Sequence, residues 1–324
     1  MRVQLLSILL LFTIGCNSVS GKKTKQEMKQ EIAKLEELIK QELKMVKSYD
    51  EKPAYYLQVN KSGCRLLIRV DDIPLGYSFI EDDGESMLYP INDKLLASGK
   101  HTVTIEVYPR SFETLVTKEA WANVKVVYYK EKLVGDPEPI NELTTPVDIG
   151  TKNLPVYLDS LSFDAKLPFD FKYLLTKAKD LRKVDNLESK VLAHYNKVRQ
   201  MMIDGKYYQY NKMRVATTWP RTEMSYLGED ALRKTYIDTD ELFRFQCEPI
   251  DWTALPIENY EMVVCGNGKL VYLRRKKELD EVLRCEYYET QEEKEFSPDK
   301  RSTSSFLFIA LYMPSGSDTL VELY

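Results

Sequence analysis

The stretch Leu95-Leu96-Ala97-Ser98-Gly99-Lys100-His101-Thr102-Val103-Thr104-Ile105-Glu106-Val107 decides the fold. Val103, Ile105 and Val107 fall on one side of an extended chain, with Thr102, Thr104 and Glu106 on the other. A period of two marks a half-buried strand. The same period recurs on both sides of it. Tyr55, Leu57 and Val59 share a face, as do Leu66, Ile68 and Val70, although Leu67 opposite them is apolar too. Ala122, Val124, Val126 and Tyr128 form another face, and Leu161, Phe163 and Ala165 close the series. Asp82-Asp83-Gly84 is turn material. Short strands at this spacing predict an all-β sandwich, immunoglobulin-like or jelly-roll-like, over residues 51–167. Residues 135–155 hold Pro137, Pro139, Pro146 and Pro155 and read as a long crossing loop before the last strand.

Upstream the period becomes helical. Met28, Ile32, Leu35, Ile39 and Val46 are spaced by fours and threes, interrupted only at Glu42, and Leu38 and Leu43 widen the stripe. This predicts an amphipathic helix of about seven turns within residues 21–47. A coiled-coil stalk needs a longer heptad run. A helix that packs on its own domain, or acts as a spacer, is the favoured reading.

Downstream of Lys166-Leu167-Pro168 the helical period returns. Phe171, Leu174, Leu175, Ala178 and Leu181 predict one short helix. Asp185 with Glu188 forms a variant of the capping box and opens a longer helix with Leu187, Val191, Tyr195, Val198 and Met202 on one face. Asp204-Gly205 stops it. Further helix is predicted over Tyr210 to Thr218, ended by Trp219-Pro220, and again over Glu229 to Phe245. The tail is β. Met262–Cys265 and Leu270–Leu273 flank Gly266-Asn267-Gly268, a strong hairpin signal. Cys285 to Glu289 is a further strand, and Phe306–Met313 with Thr319–Leu323 predicts a last hairpin. The expected fold class is therefore α+β overall. An N-terminal amphipathic helix precedes the sandwich, and residues 168–324 form an α+β domain of helices followed by an antiparallel meander.

Composition narrows the function. The 324 residues are 44% hydrophobic and 30% charged, which is globular composition. A net charge of −4 argues against nucleic acid as a partner. His101 and His194 are the only histidines, which excludes a His-rich metal site and disfavours His-based catalysis. No G-x-S-x-G, H-E-x-x-H or P-loop pattern is present. No cofactor, metal site or catalytic residue is therefore expected, and the expectation is of a protein that is not an enzyme. A carboxylate-dependent enzyme in the C-terminal domain is the weakest alternative, since nothing in the spacing of the acidic residues selects a pair.

The first residues place the chain. Arg2 gives a positive start, Val3 to Phe12 is a short apolar run, and Thr13-Ile14-Gly15-Cys16 follows. The run is half the roughly twenty residues needed to span a bilayer, so it reads as a secretory signal. A small residue directly before a cysteine here resembles the lipobox of bacterial lipoproteins. The resemblance implies cleavage after Gly15, lipidation of Cys16 with fatty acyl chains such as palmitate, and a tether with helix over residues 16–50. It implies a lipid-anchored protein of the bacterial cell envelope. Asn17 after Cys16, with no acidic cluster following, favours the outer membrane and its periplasmic face.

Two further resemblances concern fold. The Leu95–Ile105 stretch is similar to an element of extracytoplasmic sandwich modules of immunoglobulin-like and carbohydrate-binding types. The order of elements in the C-terminal domain resembles NTF2-like domains, where helices on a curved sheet can leave a cavity.

Each remaining candidate has a structural rival. Glu81-Asp82-Asp83-Gly84-Glu85 is rich in oxygen ligands for calcium but lacks the EF-hand spacing, so a solvated turn is expected. Arg274-Arg275-Lys276-Lys277 is followed by Glu278, Asp280 and Glu281 and reads as a self-neutralising loop rather than an anion grip. His194 lies beside the apolar face of its helix and reads as a hydrogen-bonded core residue. Cys64, Cys247, Cys265 and Cys285 allow disulfides in an exported protein, or buried free thiols. Asn60-Lys61-Ser62 matches a glycosylation sequon of little weight in a bacterial protein. Tyr207, Tyr208 and Tyr210 form an aromatic group suited to partner contact, or equally to a helix–sheet seam. The expected function is a membrane-tethered binding lipoprotein. A protein partner is favoured, in one version a toxin neutralised as immunity lipoproteins do, and a glycan is the alternative.

Overall fold

The structure is a computed structural model that describes residues 23–76, 79–238, 244 and 251–324. Cys16, Cys247 and residues 239–243 and 245 of the expected helix lie outside the described residues. The fold is mixed α+β, with four antiparallel sheets among the described residues.

The sandwich has an outer sheet and an inner sheet. The outer sheet contains β1 (Ala54–Ser62), β4 (Glu85–Pro90), β6 (Trp121–Tyr129) and β7 (Glu138–Thr144), in the order β4-β1-β6-β7. The inner sheet contains β2 (Arg65–Val70), β3 (Ile73–Pro74), β5 (Ala97–Tyr108) and β8 (Tyr157–Asp170), in the order β3-β2-β5-β8. Leu57, Val59, Leu66, Ile68, Val103, Ile105, Val124 and Phe163 share the core between them. Gly99 sits where the β5–β8 register shifts, with φ 138, a conformation that glycine adopts without strain. β4 and β7 are the edges of the outer sheet, and neither has the apolar alternation of a buried strand. The expected crossing loop at 135–155 thus contains an edge strand, where Pro139 is tolerated.

The C-terminal region supplies the other layers. The strands β9 (Asp251–Ala254), β12 (Leu283–Tyr288) and β13 (Ser302–Leu307) form a small sheet. A larger sheet runs in the order β10 (Tyr260–Cys265), β11 (Leu270–Arg275), β14 (Leu311–Tyr312) and β15 (Val321–Glu322). Leu270 and Tyr272 pack with Leu67 and Ile73 of the inner sheet, while Val271 and Leu273 pack with the helices. A strand buried on both faces loses its alternation, which explains the continuous apolar run Leu270–Leu273. Residues Phe306–Met313 are not one strand. The chain leaves the small sheet after Leu307 and re-enters the larger one at Leu311, with Ile309 buried on the helix side and Ala310 on the sandwich side.

The α-helices among the described residues are α1 (Lys25–Leu43), α2 (Tyr173–Thr176), α3 (Leu187–Ile203), α4 (Tyr207–Met224), α5 (Glu229–Arg233) and α6 (Gln291–Phe296). The first has a reciprocal cap between Thr24 and Glu27. Its apolar residues Leu35, Leu38 and Ile39 are buried with α3 and α4, so the stripe is used within the chain and α1 joins the C-terminal core. Glu42, the gap in that stripe, is buried too and accepts hydrogen bonds from Thr222 and, at 2.8 Å, from Tyr236.

Three helical expectations are corrected. The helix over 171–181 is only the single turn α2 followed by a 3-10 turn at Leu181–Lys183. Between them, Lys179 and Leu181 donate their N–H groups to Met313 and Gly268, so the backbone bonds to the sheet instead of continuing the helix. The capping box at Asp185 is absent, because the N-cap is Asn186 in a left-handed conformation without a side-chain cap. Finally, α4 begins at Tyr207 and runs through Pro220. Proline removes one helical hydrogen bond. The turn beyond it is held by tertiary contacts, Thr222 to Glu42 and Glu223 to Tyr49 and the Lys47 backbone.

Buried tyrosines make the fold sensitive to alkali. Tyr195 donates to the Ile309 carbonyl at 2.6 Å and accepts from the Leu273 N–H at 3.0 Å. Burial drives the pKa of Tyr195, Tyr210 and Tyr236 well above the usual tyrosine value. A raised folded pKa means that their stabilising contribution is complete below the unfolded value near 10 and is lost above it. Each should lower stability by about 1.4 kcal/mol per pH unit above 10. We expect their phenolate absorbance to appear together with loss of far-ultraviolet circular dichroism. Ionisation of all the tyrosines while that signal is retained would contradict this.

Candidate functional site

One end of the sandwich gathers the ends of β1, β5 and β7 and the starts of β2, β4, β6 and β8. At its centre is Lys61. This residue follows Leu57 and Val59 on the inward face of β1, so its stem continues the apolar row and its ammonium emerges among the loops. The ammonium donates to the carbonyls of Cys64 at 3.2 Å, Asp83 at 2.9 Å and Glu81, and pairs with the Glu85 carboxylate at 3.0 Å. The segment Glu81–Glu85 therefore wraps a lysine. A buried cation needs such a set of oxygens, and Lys61 provides the positive charge that a calcium ion would bring.

The neighbouring loops are pinned to this centre. Asp82 accepts from the N–H of Ser111 at 2.7 Å and from its hydroxyl. Arg110 pairs with Glu113 at 2.6 Å, and the N–H of Val116 donates to the Leu154 carbonyl at 2.8 Å. Gly63 and Gly150 let the 117–119 backbone approach closely. A Cβ on Gly63 would lie 2.4 Å from the Glu119 carbonyl oxygen, and one on Gly150 would lie 2.3 Å from the Lys118 nitrogen.

These fixed loops present large apolar side chains to solvent. Phe112 is 74% exposed, with the Arg110 guanidinium 4.9 Å above its ring. Trp121 is 44% and Leu115 40% exposed, and Val147 is fully exposed. Apolar residues shown on rigid loops lose little conformational entropy on binding. Phe112, Leu115 and Val147 stand singly in polar loops, so no periodicity marks them in the sequence. Their one sequence signal is that an apolar side chain in a loop has no core to enter.

The other candidates are placed elsewhere. Tyr207 and Tyr210 are buried in the helix–sheet core and are a packing seam, not a contact surface. The third of the group, Tyr208, is half-buried beside that core, with the Lys34 ammonium 5.9 Å from its ring. His194 bonds Glu322 at 3.0 Å, and Tyr210 donates to the other oxygen of the same carboxylate at 3.0 Å. His101 is buried between Asp71 at 2.6 Å and the Ala97 carbonyl at 3.0 Å, so both ring nitrogens are engaged. Arg274 pairs with Glu261 at 2.6 Å, and Arg275 pairs with Asp280 and, at 3.4 Å, with Glu278. The self-neutralising reading of that run describes these pairs. Cys64, Cys265 and Cys285 are buried free thiols, and burial pushes that of Cys265 up to about 12, far from a reactive thiolate. Among the described residues, no group of three or more His, Cys, Asp or Glu is placed to hold a metal ion, and no helix is long and apolar enough to cross a membrane.

The lysine centre yields a direct test. Replacing Lys61 with methionine keeps most of the packing and strands the oxygens around it, so K61M should lower stability by about 3–5 kcal/mol. The exposed Lys125–Glu142 pair, at 3.3 Å, is a control. K125M should cost less than about 1 kcal/mol. Urea unfolding of both variants measures the difference, and equal losses would show that Lys61 is not the pin.

Comparison with protein families, curated proteins and solved structures finds no match to this chain.

Proposed function

We propose that the chain is a lipid-anchored, non-catalytic binding protein of the bacterial envelope. It recognises a protein partner through the loop end of its sandwich. The observation that carries this reading is the exposure of Phe112, Leu115 and Val147 on loops that Lys61, Asp82, Gly63 and Gly150 hold in place, with Trp121 exposed at the start of β6. Aromatic and aliphatic anchors on a preorganised surface are the usual centres of protein interfaces. Neutralisation of a toxin delivered into the periplasm is one form of this function, by analogy with immunity lipoproteins. The anchor belongs to the same proposal. Cys16 carries acyl chains, and the outer membrane, periplasmic side, is the favoured address.

A glycan ligand is the second reading, and one observation favours it. Trp121 lies on the outer sheet with Asn123, Lys125, Glu142 and Thr144. Asn123 donates to Glu142 at 2.6 Å and to Thr144 at 2.8 Å, which fixes a polar row next to an exposed indole. An exposed indole flanked by fixed amide and carboxylate groups suits a sugar as well as a protein.

Two experiments test these proposals. Cys16→Ala should abolish incorporation of a palmitate analogue and move the protein from the membrane to the soluble fraction. An unchanged distribution would remove the anchor. Photo-crosslinking groups at positions 112 and 147 of the anchored protein should trap one discrete protein in cells, whereas a group at Asp159 on β8 should not. A protein partner predicts that F112S abolishes the cross-link from position 147. Glycan-array binding that survives F112S and is lost in W121A would instead establish the second reading.

A further inference from the structure

The start of α1 carries its charges against the helix dipole. A helix N-terminus is positive and favours acidic side chains, with basic ones at the far end. Here Lys22 and Lys23 precede the helix in sequence, and Lys25 and Lys29 fall in its first two turns, opposed in the first turn by Glu27. The whole chain has a net charge of −4, so these lysines are a local excess of positive charge at a place where the helix disfavours it.

The acidic groups at this end are already engaged. Glu27 accepts from the N–H and the hydroxyl of Thr24 at 2.7 and 2.8 Å. Glu31 is buried, pairs with Lys23 at 3.2 Å and accepts from the N–H of Tyr208 at 2.8 Å. Asp204, just before α4, pairs with Lys206 at 2.8 Å. By contrast Lys25, Lys29, Lys34 and Lys212 are exposed and make no ion pair among the described residues. The helices α1 and α4 run side by side in the same direction, since Glu31 meets Tyr208 and Glu42 meets Thr222. Their lysines therefore share one end of the helical layer. Tyr208 joins them, with Lys34 5.9 Å from its ring and Lys212 one turn further along α4.

Chain length relates this end to Cys16. Lys23 follows Cys16 by seven residues. Seven residues reach at most about 25 Å when fully extended and about 15 Å as a flexible coil. With acyl chains on Cys16, the start of α1 is thus held close to the lipid, and an anionic headgroup surface attracts lysines brought within about 8 Å of it. We propose that the end of α1 and α4 bearing Lys25, Lys29, Lys34 and Lys212 rests on anionic phospholipid headgroups of the membrane that Cys16 enters. Tyr208, half-buried among these lysines, suits the headgroup level, where an aromatic body with a polar tip is favoured. This inference rests on the lipid anchor proposed above and gives the anchored protein an orientation.

The test uses the acylated protein, labelled with a fluorophore through Gln30→Cys. It is reconstituted into vesicles of phosphatidylcholine alone or mixed with phosphatidylglycerol, each containing a headgroup-linked quencher. Flotation with the vesicles reports the anchor, and quenching reports the lysine face. Quenching should be at least about twofold stronger with phosphatidylglycerol at low salt and should fall to the phosphatidylcholine level at high salt. Each lysine at an anionic surface favours the docked state about fivefold, so K25Q, K29Q and K34Q together should also reduce quenching to the phosphatidylcholine level. The same change at the exposed sandwich residues Lys100, Lys118 and Lys130 should not. Protein that floats with both vesicles and is quenched equally in both overturns this proposal and spares the anchor. Protein that floats with neither overturns the anchor and this proposal with it. Equal losses in the two triple variants would also overturn it, because total charge and not this face would then govern the contact.

Discussion

Leu67 lies on the face of β2 turned away from the sandwich core, and the layering of the molecule follows from hiding it. The sandwich satisfies Leu66, Ile68 and Val70 but leaves Leu67 and Ile73 uncovered. The sheet β10-β11-β14-β15 covers them with Leu270, Tyr272 and Tyr312. That sheet then has its own second apolar face, Val271, Leu273 and Leu311, which requires the helices. Each layer exists to cover the one before it, until the polar faces of α1 and α3 meet water. The arrangement also encloses Arg69, two residues from Leu67 on the same face. Its guanidinium is held by Asp72 at 3.1 Å and Glu106 at 2.6 Å. Glu106 accepts from the Tyr108 hydroxyl at 2.8 Å, and the Arg274 guanidinium lies over that tyrosine ring. The inner sheet of the sandwich and the sheet β10-β11-β14-β15 are thus joined by an apolar layer edged with paired charges, which gives the seam a specific register.

A second junction is made by backbone. Asp71 and Asp72 both have positive φ, at 51° and 64°, in the turn between β2 and β3. Asp72 receives the N–H of Gly266 on its carbonyl at 3.0 Å and that of Asn267 on its carboxylate at 2.9 Å. Asp71 accepts from Thr102 N–H at 2.9 Å and meets His101. Aspartate tolerates the left-handed region better than most residues. One tight turn therefore locks the sandwich to the Gly266-Asn267-Gly268 hairpin, and His101 serves that lock.

Much of this was legible. Period two located the central strands of the sandwich, because those strands have one face in water or in a polar layer. The helical face of Leu187, Val191, Tyr195, Val198 and Met202 is the buried face of α3. The edge strands β4 and β7 were hidden, since an edge exposes both faces and needs no pattern. The end of α4 was hidden because proline is read as a stop, while the contacts that overrule it come from Glu42, more than a hundred residues earlier. Leu67 was visible as an apolar residue on the wrong face, and it was the only trace of the third layer. The site was less legible. Lys61 looks like any surface lysine, and nothing local shows that four oxygens from two segments converge on it.

The way the loop end of the sandwich uses its polar groups bears on what it can bind. At the loop end Lys61 and Asp82 are engaged by the loops around them, so they act as scaffold, and the side chains shown there, Phe112 and Leu115 among them, are apolar. Such a surface gains by excluding water from Phe112 and Trp121, and a partner must offer shape and area.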